Sequence, residues 1–325
     1  MRKTVSKIAA LMMAASMVLT ACGGGQGSQN QGGGTGTAQS ESGAENTNAS
    51  AITDLVTYEE PKREQETFFI LNSEKAQDLN VLANLYSPLL EVDEKGQLRP
   101  AVAKEWGTED GGLTWTFKLR DDVKWVDING NEKAQCTSQD WITSLEWVLN
   151  FHKNGSQNTS MPLALIKGAE DYYNYTKELP EAEAKALDTS KMLEMVGIEA
   201  PDDYTLIYHC TKNAPYFDTV ATSACLYPLA QGLVDELGVD NMLGMTNENM
   251  WYSGPYFETT FTMNNEKVLT RNPSYWDKDA QLFETVTIRM IDPNLLYQLW
   301  QNGEVDNVNL SEADLRTVYD DKNNE

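Results

Sequence analysis

Residues Leu113 to Asn150, LTWTFKLRDDVKWVDINGNEKAQCTSQDWITSLEWVLN, restrict the fold more than any other stretch. Leu113, Trp115, Phe117 and Leu119 alternate with Thr114, Thr116, Lys118 and Arg120. A period of two built from aromatic and β-branched side chains is that of a half-buried strand. Asp121-Asp122 is read as turning the chain and Val123 to Val126 as returning it, while Asp127-Ile128-Asn129-Gly130 supplies residues that tolerate positive φ. Thr137 has the chemistry of an N-cap, and Asp140 three positions later completes a capping box. Trp141, Ile142, Leu145, Val148 and Leu149 then recur at helical spacing. A strand, a return and a helix with one wide apolar face need a partner layer, so the rest of the chain has to supply it.

The flanking sequence is punctuated accordingly. Phe68 to Leu71 reads as a strand, Asn72-Ser73-Glu74 as a polar loop, and Leu79, Leu82, Leu85, Tyr86 and Leu89 as the stripe of a helix. Val92 begins a hairpin turning at Asp93-Glu94-Lys95-Gly96. Met161 to Ala169 is read as a short apolar helix and Glu178 to Ala186 as a solvated one. Tyr172, Tyr173 and Tyr175 have no basic neighbours and are read as packing. Val196 to Ala200 and Tyr204 to His209 form a hairpin, with His209 a strand residue, and Pro228 opens a helix to Leu237. In Tyr252-Ser253-Gly254-Pro255-Tyr256, Gly254 before a proline demands extended backbone and admits a close neighbour. Strands are expected at Tyr256 to Phe261, Lys267 to Arg271, Val286 to Met290 and Val305 to Leu310, with helices from Pro293 to a Gly303 cap and from Ser311.

The first 21 residues carry Arg2, Lys3 and Lys7, an apolar run from Ile8 and then Leu19-Thr20-Ala21-Cys22, which reads as a lipoprotein signal peptide ending in a lipobox. Cys22 would become the lipidated N-terminus, where two acyl chains at about 0.8 kcal/mol per buried methylene make a stable anchor. Residues 22–60 are read as a linker; Gly23 to Ser50 is nearly all Gly, Gln, Ser, Asn, Thr and Ala and cannot build a core. Removing the signal takes away three positive charges and no acidic ones, moving the formal charge from −24 to −27. Such acidity argues against nucleic acid, whose phosphates demand Lys and Arg. Cys136, Cys210 and Cys225 follow no metal-knuckle spacing and leave either one disulfide or buried thiols. Only His152 and His209 are available as histidine ligands, and no G-x-S-x-G, H-E-x-x-H, P-loop or G-x-G-x-x-G is present. No enzyme or cofactor chemistry is assigned.

Three segments in this order, LYSPLLEVDEKGQLRPAVAKEW (85–106), the 113–150 stretch and WYSGPYFETTFTMNNEKVLTRNPSYWD (251–277), resemble the extracytoplasmic solute-binding proteins of peptide and nickel ABC transporters, the oligopeptide-binding family or solute-binding family 5. The resemblance implies a mixed α/β, periplasmic-binding-protein-like two-lobed clamshell. Residues 61–325 would supply mostly lobe one, with an inserted subdomain at about 91–192 and the main sheet drawn from 67–92 and 193–310. It implies a monomeric, lipid-anchored protein outside the cytoplasm that captures oligopeptides for the permease and ATPase subunits of an importer; the long tether suits a Gram-positive cell. Backbone hydrogen bonding would give broad sequence preference. Tyr252, Ser253 and Gly254 carry over as ligand-lining, and Asn72, Ser73 and Glu74 as a looser match that replaces the family's Leu-Asp-Pro-like loop. The family's second lobe follows the point where the sequence stops, so the chain is read as the N-terminal part of a longer, split or truncated product, with half a cleft and weak binding on its own. The same fold with a dipeptide, nickel chelate, haem or oligosaccharide, a peptide-pheromone receptor, and a surface hydrolase are the competing readings.

Overall fold

The computed structural model describes residues 53–155 and 157–320. In chain order the strands are β1 (Asp54–Glu59), β2 (Leu90–Val92), β3 (Leu98–Pro100), β4 (Ala103–Gly107), β5 (Thr114–Leu119), β6 (Lys124–Val126), β7 (Glu132–Gln135), β8 (Ile198–Asp202), β9 (Thr205–His209), β10 (Tyr256–Thr262), β11 (Glu266–Arg271) and β12 (Thr285–Met290). The helices are α1 (Ala76–Leu82), α2 (Gln139–Leu149), α3 (Phe151–Asn154), α4 (Ser160–Leu165), α5 (Ala169–Glu178), α6 (Glu181–Lys185), α7 (Thr189–Met195), α8 (Phe217–Val220), α9 (Gln231–Leu237), α10 (Leu296–Asn302) and α11 (Glu312–Asp320). Two four-stranded sheets organise them, in the orders β1-β12-β11-β10 and β4-β5-β9-β8, with β2-β3 and β6-β7 as separate hairpins. One continuous core runs from Phe69 through Phe117, Trp141 and Tyr208 to Val286.

The alternation around β5 is realised as expected from Thr114 onward: Trp115, Phe117 and Leu119 are buried. Leu113 falls outside the strand and is 39% exposed. Val123 to Val126 does not return onto β5. That strand is flanked by β4 and β9, with Phe117 meeting Tyr208 edge-on at 6.1 Å. The three residues of β6 instead pair with β7 across the Asp127–Gly130 turn, where Gly130 has φ +78°. A central strand of six residues gains more cross-strand packing from β4 and β9 than a three-residue segment can offer.

Helix α2 buries every residue from Asp140 to Leu149. Half of the expected capping box forms: the Asp140 carboxylate accepts from Thr137 N–H at 2.9 Å and also from Trp125 Nε1 at 3.0 Å. Ser138 occupies the cap position, its hydroxyl donating to the Asp202 carbonyl rather than to the helix. Glu146 is buried on the same helix and is matched by Lys153 Nζ at 2.8 Å, the Tyr172 hydroxyl at 2.9 Å and Asn150 Nδ2 at 3.0 Å. A buried charge persists where its partners are this complete. Tyr172 is therefore a core residue, in agreement with a packing role.

Several expected boundaries are corrected. Residues 54–59 are not linker: β1 pairs in parallel with β12, Leu55 opposite Val286, a partner some 230 residues away that no local pattern reveals. Phe68 to Leu71 is not a strand but runs into a 3₁₀ turn at Ile70–Asn72, since a short buried apolar run has no period to distinguish the two. The inserted region does not stop at 192, because β8 and β9 belong to the β5 sheet, and 67–92 gives no strand to the main sheet. Glu178 to Ala186 is divided by Pro180 into the end of α5 and α6. The apolar helix expected from Met161 ends at Leu165, and the one expected from Pro228 starts at Gln231. Val305 to Leu310 is not a strand; Asp306 nevertheless bonds β1 from both its N–H and its carboxylate, at 2.8 and 2.7 Å from Val56. Gly303 closes α10 in the left-handed conformation as expected. Residues 1–52, with the signal, Cys22 and most of the tether, lie outside the described residues. No helix among the described residues is long and apolar enough to cross a membrane.

Candidate ligand-binding site

Two groups of residues were singled out by sequence, and the fold places them at opposite ends of one segment. The loop 71–74 enters α1, and the chain leaving α1 at 84–87 receives residues 252–254. Gly254 is required by that approach: a Cβ there would sit 2.6 Å from Asn84 O, Leu85 C and Tyr86 N. Ser253 and Gly254 N–H groups both donate to Leu85 O, at 3.1 and 2.9 Å. Ser87 N–H donates to Ser253 Oγ at 3.0 Å, and Ser87 Oγ returns a bond to Ser253 O at 2.8 Å.

Tyr252 is tied to β6 by reciprocal backbone bonds with Val126, and its hydroxyl donates to Asn247 O at 2.6 Å. Its ring meets Phe257 edge-on at 5.2 Å. Tyr252 and Ser253 are buried, and the polar groups of both are used within the lobe. Burial pushes the Tyr252 phenol well above its ordinary range, so it stays neutral. The segment is a rivet between the α1 exit, β6 and the Asn272 corner, whose Nδ2 donates to Gly254 O at 2.9 Å. It gives this lobe no exposed side chain for a ligand.

The second group is nearer to solvent. Asn72 is half-buried and donates through Nδ2 to Asn154 O at 3.0 Å. Ser73 is buried, its hydroxyl donating to Asp78 Oδ2 at 2.6 Å. Glu74 is exposed and accepts from Asn158 N–H at 2.8 Å. Asn158 Nδ2 reaches both Leu71 O, at 3.0 Å, and Ser73 O, at 2.6 Å, from a left-handed backbone with φ +53°. Asn154 and Asn158 thus hold this candidate loop, and neither stands in a motif. Their signal was there in a loop of Asn and Gly, residues that enter the left-handed region most easily. No contact joins this group to 252–254 directly among the bonds described; α1 is the link between them.

Among the described residues no three His, Cys, Asp or Glu side chains cluster as metal ligands. Cys136, Cys210 and Cys225 are unpaired and buried. Burial pushes the thiols of Cys210 and Cys225 up to about 11 and about 12, leaving little nucleophilic thiolate at neutral pH. A pocket of about 380 Å³ lies at Arg271, Asn272, Tyr275, Lys278 and Glu284. Its cations are already engaged, Arg271 by Glu284 at 2.9 Å and Lys278 by the Pro273 carbonyl at 2.8 Å.

The model of the bacterial extracellular solute-binding proteins, family 5 Middle, matches residues 97–325. The chain belongs to that family. Family 5 proteins are binding proteins, not enzymes. Oligopeptide-binding protein SarA of Streptococcus gordonii is 30% identical over 227 residues, covering 70% of this chain and 32% of that protein. Periplasmic oligopeptide-binding protein OppA of Haemophilus influenzae is 28% identical over 244 residues, covering 75% of this chain and 41% of the relative. Listeria monocytogenes OppA bound to peptide superposes with a TM-score of 0.69 at 23% identity, over 84% of this chain and 49% of that structure. The mixed α/β architecture is accordingly that of the periplasmic-binding-protein-like fold. The chain spans from about a third to about two-fifths of the length of these curated relatives.

Proposed function

We propose that the chain supplies one lobe of an oligopeptide-capturing component of an ABC importer, anchored outside the cytoplasm through a lipid on Cys22. The observation that carries this reading is the family 5 match over residues 97–325, together with relatives named for oligopeptide binding. The site geometry is compatible with it. Asn72 and Glu74 present an amide and a carboxylate at the surface, on a loop that Asn154 and Asn158 hold in one shape. A loop fixed in advance loses less entropy when a peptide arrives. Tyr252, Ser253 and Gly254 contribute by fixing the wall behind α1, with no polar group of their own left to meet the guest. Affinity then comes from the peptide main chain, which suits broad sequence preference.

Two experiments test the reading. Mass spectrometry of the whole protein, isolated without denaturation, is expected to find a mixture of short peptides bound; a bound sugar, haem or metal chelate would replace the ligand assignment. Cys22→Ala is expected to release the protein from the membrane fraction, and a variant that stays membrane-bound would remove the lipid anchor from the account.

A further inference from the structure

Glu258 lies on β10 beside the register irregularity that separates it from Thr260, and it is 0% exposed. A carboxylate in that position needs a cation or several donors. Among the described residues it has one donor: Gln65 Nε2, which is 3.3 Å from Glu258 Oε2 and also 3.2 Å from Thr67 O. The titratable and charged groups facing it are Glu64 on the segment after β1, Lys267 on β11 and Tyr252 on the loop before β10. Lys267 Nζ is committed to Glu64 and to Met290 Sδ at 3.2 Å, and the Tyr252 hydroxyl to Asn247 O. Two buried oxygens are then left without a partner, Glu258 Oε1 and Gln65 Oε1.

One arrangement satisfies both orphans at once. A carboxylic acid and a primary amide set side by side close a ring of two hydrogen bonds, the amide N–H to one carboxyl oxygen and the acid O–H to the amide oxygen. The first of these is present. A proton on Oε1 supplies the second and satisfies both orphans together. We propose that Glu258 is a buried neutral acid whose Oε1–H donates to Gln65 Oε1, clamping residues 60–67 to the β10–β11 hairpin, and that loss of this proton loosens that seam. Burial, reinforced by Glu64 and opposed by Gln65 and Lys267, pushes the carboxyl up to about 8, in agreement with the geometry.

The direction of the pH effect follows. Between the ordinary value of 4.5 and about 8, the folded chain holds a proton that the unfolded chain has released. Stability therefore falls as pH rises through that window and levels off above it. The segment being clamped leads directly into the 71–74 loop, so the seam and the candidate site share one support. The inference itself stands whatever the ligand proves to be.

The test is a carbon-13 titration of the Glu258 side-chain carboxyl, alongside urea unfolding of wild type and Glu258→Gln from pH 5 to pH 9. A glutamine keeps both ring hydrogen bonds and cannot ionise. The expected result is a Glu258 signal still in its neutral-acid position at pH 7. The unfolding constant of wild type relative to E258Q should rise by roughly a few hundredfold between pH 5 and pH 8. A Glu258 carboxyl that titrates below pH 6, or an E258Q variant with the wild-type pH slope, would overturn the proposal. If E258Q does not fold, the titration of the wild-type residue decides alone.

Discussion

Gly254→Ala tests the rivet directly. Its new methyl would lie 2.6 Å from three backbone atoms of residues 84–86, where ordinary carbon contacts are about 3.5 Å or longer. The backbone has to separate by nearly 1 Å, and no flexible side chain can yield instead. Five hydrogen bonds cross the gap, from Ser253, Gly254 and Tyr256 N–H and through both hydroxyl and N–H of Ser87. Overpacking of this kind costs about 1–3 kcal/mol, and two broken bonds add about 2 kcal/mol more at roughly 1 kcal/mol each. The expected loss is about 3–5 kcal/mol, a large share of the 5–15 kcal/mol that holds a typical domain. Urea unfolding followed by tryptophan fluorescence would show a midpoint lowered by about 1–1.7 M, using a slope of about 3 kcal/mol/M. Gly107→Ala is the control, since nothing lies within 4 Å of a Cβ there, and it should change stability by less than about 0.5 kcal/mol. A Gly254→Ala protein within 1 kcal/mol of wild type would refute the claim that this close approach is obligatory.

Asn158→Ala removes the donors to Leu71 O and Ser73 O, so faster amide exchange confined to residues 71–74 and a stability loss of about 1–3 kcal/mol are expected; unchanged exchange would separate Asn158 from the loop. Lys153→Met strands the buried Glu146 carboxylate and should cost about 3–5 kcal/mol, much of it recovered in the Lys153→Met/Glu146→Gln double variant, as read by a thermal double-mutant cycle. Equal destabilisation of the single and double variants would show that lost packing, not stranded charge, is responsible. A colourless thiol reagent mixed with native protein should leave Cys136, Cys210 and Cys225 unlabelled until urea is added, as peptide mass mapping can check.

The parts of this fold that were legible in sequence are those whose cause is local. Trp115, Phe117 and Leu119 announce β5 through alternation, the 3.6-residue stripe from Trp141 to Leu149 announces α2, and Gly96 and Gly303 stand where left-handed backbone is needed. The failures are non-local. The partners of β5 are not readable locally because β9 lies some 90 residues further on, and β1 resembles linker because its partner strand among the described residues is the distant β12. Gly254 was read correctly as a site of close approach, although the approaching chain proved to be residues 84–86 of the same lobe. That contact buries Tyr252 and Ser253, which a motif cannot reveal. Asn158 was missed because its role, accepting a left-handed φ so that one amide can hold two carbonyls, becomes visible only when residues 71–74 are beside it.

The most direct measurement is native mass spectrometry of the whole protein incubated with a defined mixture of short peptides. The account predicts adducts with many unrelated peptides, each recovered at its original mass after release. Peptides returned cleaved, or no adduct with any peptide while another class of small molecule stays bound, would contradict it.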